Sequence, residues 1–293
     1  MNSKITLVLV LLGLISFINA VEYRPVVVLH GITTDNTPME LLVKWIEEAL
    51  PNTYVVNMEI GNGKIDSIFM HMEDQVEEYA AKVAADPKLA NGFNAIGFSQ
   101  GTLVTRGYIQ KYNNPPVYNY ISWNGPQSGQ FGTPFVNIKW IDKVLGTTPY
   151  AEWAQNTFSC AQYWKDPYKL EKYLEVSQFL ADLNNEREVK NPIYRERITS
   201  LNAFVMSYST EDSTIVPKES GWFGFYANDT QSAIVPLEQQ PQYTEDWIGL
   251  RTLDERGALI KFTTDCVHKD HPSADACKPY FTNFTLPWLS EPL

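Results

Sequence analysis

The chain has 293 residues, 44% hydrophobic and 13% aromatic, and a formal net charge of −11. Such a composition supports a large buried core and argues against a disordered chain. The acidity is not interrupted by any Lys/Arg cluster, which argues against nucleic acid as a partner.

The first twenty residues, MNSKITLVLVLLGLISFINA, carry one early positive charge at Lys4 and an almost wholly apolar run from Ile5 to Ile18. With Ala20 as a small residue at the cleavage point, this stretch reads as a secretory signal peptide and is set aside from the fold. No later apolar run is long enough to span a bilayer, so the mature chain is expected to have no transmembrane segment. Val26–Leu29 and Tyr54–Ile60 read as buried strands. Ile68, Met72, Val76, Tyr79 and Val83 recur at three or four and predict one helix face, with His71 in mid-helix. Phe93–Gly97 is a strand, followed by a helix to about Tyr112, and Val117–Trp123 is the next strand. Alternating strands and helices predict an α/β fold with a mostly parallel sheet covered on both faces. From about 133 to 200 the rhythm changes to aromatics and helix formers, among them Trp140, Tyr150, Trp153, Phe158, Tyr163 and Trp164. This segment reads as a helical insertion over one end of the sheet. Strands resume at Ala203–Tyr208 and Ala258–Thr263, and a last helix leads to Pro287-Trp288-Leu289. Residues 21–293 thus form one domain carrying that insertion.

There are three cysteines. Cys266 and Cys277 are close enough in sequence to clip one loop in an oxidising compartment, leaving Cys160 as a buried thiol. No spacing resembles a zinc site. Asn228-Asp229-Thr230 and Asn283-Phe284-Thr285 are N-glycosylation acceptor triplets that suit the same compartment.

Gly97-Phe98-Ser99-Gln100-Gly101 matches G-x-S-x-G at a strand-to-helix junction. That context predicts a nucleophile elbow and the α/β-hydrolase fold. The sharp turn leaves no room for side chains two residues before and after the serine, so both positions are glycine. A nucleophilic serine needs a base, and the order Ser, Asp, His removes His30 and His71 from consideration. His268 and His271 remain. Asp212, just past the Ala203–Tyr208 strand, is the expected acid, with Glu211 beside it. Asp166 and Asp182 fall in the insertion and Asp229 in a glycosylation triplet. His30-Gly31-Ile32 ends the first strand, where this fold draws one oxyanion donor. Ile32 and Gln100 are therefore the expected N–H donors. This chemistry calls for no metal and no organic cofactor.

The chain resembles the palmitoyl-protein thioesterases over nearly all of its mature length. The resemblance is carried by Asp86-Pro87-Lys88-Leu89 leading into Asn94–Gly101, by Gln130-Phe131-Gly132, and by Tyr163-Trp164-Lys165-Asp166-Pro167. Phe179-Leu180-Ala181-Asp182-Leu183 and Trp222-Phe223-Gly224-Phe225-Tyr226 continue it. It implies a lysosomal or secreted Ser/Asp/His hydrolase acting on S-acylated proteins, peptides and other long-chain acyl thioesters. Ser99 matches the family's nucleophile and Asp212 its acid. Without a gap, the family's histidine falls on His268. Thr102 stands where the family usually has another glycine, and the Cys266–Cys277 segment is longer than its counterpart, which keeps His271 as an alternative; placement at the strand end favours His268 as the base. A lipase or carboxylester hydrolase, and a non-catalytic lipid carrier on the same fold, are the competing readings.

Overall fold

The computed structural model describes residues 21–132 and 139–293. Residues 1–20, the expected signal peptide, residues 133–138 and the side chains of Lys139, Trp140 and Asp142 lie outside the described residues.

The strands in chain order are β1 (Val26–Leu29), β2 (Val55–Met58), β3 (Phe93–Phe98), β4 (Val117–Trp123), β5 (Ala203–Ser209), β6 (Phe225–Tyr226), β7 (Ile234–Val235) and β8 (Leu259–Thr264). Six of them form one sheet in the order β2-β1-β3-β4-β5-β8, with every neighbouring pair parallel. β6 and β7 form a separate antiparallel pair. The continuous apolar run of β1 follows from burial on both faces. Val27 and Leu29 enter one core with Ala95, Tyr120 and Phe204, while Val26 and Val28 enter the other with Ile96, Ile121 and Val205. Period-two alternation thus divides each strand between two cores.

Helix α1 (Glu40–Ala49) covers the second core through Leu42, Trp45 and Ile46. The first core is covered by α3 (Met72–Ala85) and α4 (Gln100–Lys111), preceded by the one-turn α2 (Asp66–Phe69). The single helix expected over 68–83 is therefore broken. Met70 and His71 are extended (ψ 134° and 145°), and His71 precedes α3 rather than sitting within it. Tertiary bonds outweigh the local periodicity there. The His71 ring pairs through Nε2 with the Asn156 carbonyl at 2.8 Å, and Met72 N–H donates to Gln162 Oε1 at 2.8 Å. The second strand is likewise shorter than Tyr54–Ile60, because a turn with Gly61 at φ +57° follows it and Glu78 captures the Gly61 N–H at 2.8 Å.

The segment after β4 contains α5 (Lys139–Thr147), α6 (Glu152–Gln155), α7 (Leu170–Val176), α8 (Leu180–Leu183) and α9 (Pro192–Thr199). It covers α4 so fully that every residue from Gln100 to Gln110 is buried. Arg106 of α4 is part of that seal. Its guanidinium, which burial pulls down to about 10, donates to Asn184 Oδ1 at 2.7 Å and to the carbonyls of Gln127 and Leu183. Phe158, Tyr163 and Trp164 are core residues, whereas Trp153 is exposed. The chain ends in the helical turns Lys278–Tyr280, Phe281–Thr285 and Leu286–Leu289. Cys266 and Cys277 form a disulfide, and Cys160 is a buried thiol outside it. Among the described residues no helix is long and apolar enough to cross a membrane.

Parallel pairing brings the strand ends into line. Leu29, Gly97 and Ser122 lie abreast, as do Phe98 and Trp123. His30, Ser99, Asn124, Asp212 and His268 all follow the C-terminal ends of their strands, where open parallel sheets keep their sites.

Candidate active site

Ser99 occupies φ +54°, ψ −126°, between β3 and α4. A non-glycine residue in this region is strained and persists only where its surroundings hold it. The glycines on either side are sterically required. A Cβ on Gly101 would lie 2.3 Å from the His30 carbonyl oxygen, and one on Gly97 2.6 Å from Thr102 Cα. The Ser99 N–H donates to the Trp123 carbonyl at 2.9 Å, which ties the elbow to β4. Thr102 Oγ1 donates to the Ser99 carbonyl at 2.6 Å, so the threonine hydroxyl braces the turn from inside.

Two backbone donors flank this serine. Gln100 opens α4, and Ile32 lies one residue past Gly31, whose Cβ, if present, would sit 2.8 Å from Ser99 Cβ. Neither N–H donates to an acceptor among the described residues. The Gln100 N–H also lies at the N-terminal, positive end of the α4 dipole. His30 pairs through Nδ1 with the Gly31 carbonyl at 2.8 Å. Burial pushes its imidazole below the ordinary value, so the neutral ring is favoured.

Asp212 and His268 meet across β5 and β8. Nδ1 of His268 lies 2.7 Å from Asp212 Oδ2, while Asp212 Oδ1 accepts the N–H groups of Thr214 at 2.8 Å and Ile215 at 3.0 Å. Burial pushes the Asp212 carboxyl up, but the His268 bond and charge and the two N–H donors outweigh it. The net result lies below the usual carboxylate value. The His268 ring packs on Phe98 with centroids 4.9 Å apart. Its Nδ1 is committed to Asp212, which leaves Nε2 as the nitrogen able to take a proton. Ser99 Oγ makes no hydrogen bond to a described residue; such bonds are often long before substrate arrives.

His271 is placed differently. Its Nε2 pairs with Thr264 Oγ1 at 2.5 Å, and its ring meets Trp123 edge-on at 5.5 Å. Burial first, and then the nearby His268, pull its pKa down to about 3. A histidine depressed in the folded state releases its proton on folding, so stability falls as pH drops from about 6.5 toward 3, by up to about 1.4 kcal/mol per unit. Urea unfolding of a His271→Asn variant should show a flatter pH dependence across that window than the parent; equal slopes would contradict it.

The other acids stay apart from this group. Tyr194 donates to Asp182, Asp166 caps the turn before α7 through the Tyr168 N–H, and Glu211 is exposed. Asn228 and Asn283 are both exposed. Residues that sequence patterns did not single out also adjoin the serine. Ser67, Gln75 and Ser159 form a buried hydrogen-bonded group around the Gln100 side chain.

A family model described as palmitoyl protein thioesterase matches residues 25–268. The chain belongs to this family. Palmitoyl-protein thioesterase 3 of Dictyostelium discoideum is 62% identical, covering 99% of this chain and 98% of its own. Palmitoyl-protein thioesterase 1 of Caenorhabditis elegans is 34% identical over 90% and 94%, and the human lysosomal thioesterase PPT2 is 30% identical over 92% and 89%. A crystal structure of a candidate aryl esterase from Burkholderia cenocepacia shares the fold at TM-score 0.50 and 10% identity, covering 92% of each chain. This thioesterase is thus a hydrolase on an α/β-hydrolase scaffold, with its elbow serine at the C-terminal edge of the sheet.

Proposed function

We propose that the protein hydrolyses long-chain fatty acyl thioesters of cysteine in S-acylated proteins and peptides, with Ser99 as nucleophile, His268 as base and Asp212 as its partner. The observation that carries this reading is the 2.7 Å Asp212–His268 pair, whose imidazole packs on Phe98, the residue before the elbow serine. His268 Nε2 takes the Ser99 proton as Oγ attacks the thioester carbonyl. The Ile32 and Gln100 N–H groups receive the oxyanion. Cysteine leaves as a thiolate, a good leaving group with a free pKa of about 8.5. The imidazolium gives its proton to the departing thiolate, and the neutral imidazole then deprotonates the water that attacks the acyl-enzyme, returning that proton to Ser99 Oγ as the fatty acid leaves. In this reading the described helices of the segment, 139–199, wall an apolar acyl-binding groove, since such sites are mostly apolar. The signal peptide, the exposed acceptors Asn228 and Asn283, and the lysosomal relatives support a lysosomal or extracellular destination.

Turnover of a palmitoyl-cysteine peptide beside its oxygen-ester analogue tests the substrate class. The thioester is expected to turn over with the higher kcat/KM. Hydrolysis confined to the oxygen ester would reject the assignment in favour of a lipase-like activity.

A further inference from the structure

The two proposed oxyanion donors come from segments 68 residues apart in sequence, one in the loop after β1 and one at the start of α4. Something must fix their relative position, because a donor misplaced by a fraction of an ångström loses most of its advantage in the transition state. One buried residue touches both segments. Ser67 of α2 accepts the Thr33 N–H on its hydroxyl at 2.9 Å, and its carbonyl accepts Gln100 Nε2 at 2.7 Å.

The hydroxyl has a fixed polarity. Its own hydrogen goes to the Lys64 carbonyl at 2.8 Å, leaving a lone pair for Thr33. Thr33 sits at φ +63°, a left-handed conformation that a threonine adopts only under constraint. The preceding peptide is held from the other side, since the His30 ring pairs with the Gly31 carbonyl. Ile32 therefore lies between two clamps, His30 on one peptide and Ser67 on the next. On the α4 side, Gln100 Nε2 also reaches Gln75 Oε1 at 3.2 Å, and Ser159 Oγ is within bonding distance of both Gln100 Oε1 (2.9 Å) and the Ser67 carbonyl (2.7 Å). Ser67 and Gln100 are 1% and 2% exposed, so these bonds form without competition from water.

We propose that Ser67 is a positioning residue that locks the Ile32 and Gln100 donors into one preformed oxyanion hole. The inference rests on the reading of those two N–H groups as the oxyanion donors. Ser67 touches no reacting atom. Its effect is on the geometry of the loop that carries Ile32, and the serine hydroxyl is the part that a substitution can remove.

The test uses the full chain and four proteins: the parent, Ser67→Ala, Ser67→Cys and Ser99→Ala. Active sites are titrated to completion with a fluorophosphonate, and kcat is expressed per labelled site. Ser67→Ala should lower that kcat about 10- to 50-fold, less than the loss of roughly 10²–10³ on deleting a donor outright, with KM changed less than about twofold. A palmitoyl trifluoromethyl ketone, whose serine adduct carries the oxyanion, should lose affinity by the same factor. A palmitoyl thioether that cannot react should bind as before. Ser67→Cys keeps the size while weakening the hydrogen bond, so it should show the same pattern, and it carries the test if the alanine variant does not fold. Parental kcat per labelled site in either folded variant, or unchanged ketone affinity, overturns the proposal. Parental turnover by Ser99→Ala would instead overturn the underlying reading, a failure separately visible because no site would label.

Discussion

Ser99→Ala should abolish thioester turnover while leaving the far-UV circular dichroism and unfolding midpoint close to the parent. Members of a nucleophile–base–acid set act as a unit, and losing one typically costs roughly 10⁴–10⁶ in kcat. The fold should tolerate the change because the removed hydroxyl makes no hydrogen bond to a described residue. Alanine must still accept φ +54°, as serine does, so no new strain enters with it. Turnover within tenfold of the parent would sink the assignment of Ser99 as nucleophile, whatever the substrate.

The second large effect separates the two histidines. His268→Ala should lose activity on the same scale as Ser99→Ala, since it removes the only imidazole bonded to Asp212 among the described residues. It also leaves Asp212 Oδ2 without that partner, although Thr214 and Ile215 still hold Oδ1. His271→Ala should keep kcat within a few fold. Its cost is expected in stability, about 1–3 kcal/mol, because Thr264 Oγ1 loses its partner and the ring against Trp123 is deleted. Steady-state kinetics and urea unfolding of both variants read the two effects independently. An inactive His271→Ala beside an active His268→Ala would move the base three residues along and leave the reaction class standing.

The parts of this site legible in the sequence are those dictated by local sterics. Gly97 and Gly101 must be glycine because backbone atoms occupy the space of any Cβ, and β1 must be apolar throughout because cores lie on both its faces. The break before α3 was not legible. Ile68, Met72, Val76, Tyr79 and Val83 keep helical spacing through it, and the bonds that open the chain come from Asn156 and Gln162, some 85 to 90 residues away. For the base the sequence offers two candidates and strand-end placement favours His268, the histidine that the structure pairs with Asp212. Register alone carries either histidine past the end of β8, and the difference lies in which ring turns toward Asp212 across β5. The Ser67 group left no trace in the sequence at all, since serine and glutamine at those spacings occur on any surface and only burial gives them weight.

The Cys266–Cys277 link closes a segment with a separation of 11 residues, and both histidines lie inside it. Ser99 and Gln100 are placed by a strand and a helix that the core alone stabilises. His268 instead belongs to a short stretch of turns whose order is covalently supported. Closing a loop of that size removes chain entropy from the unfolded ensemble worth about 3 kcal/mol. The consequence concerns the host: a chain produced where its cysteines stay reduced is expected to keep the six-stranded sheet and the strained serine, which the core holds, while the His268 segment lacks its covalent tether.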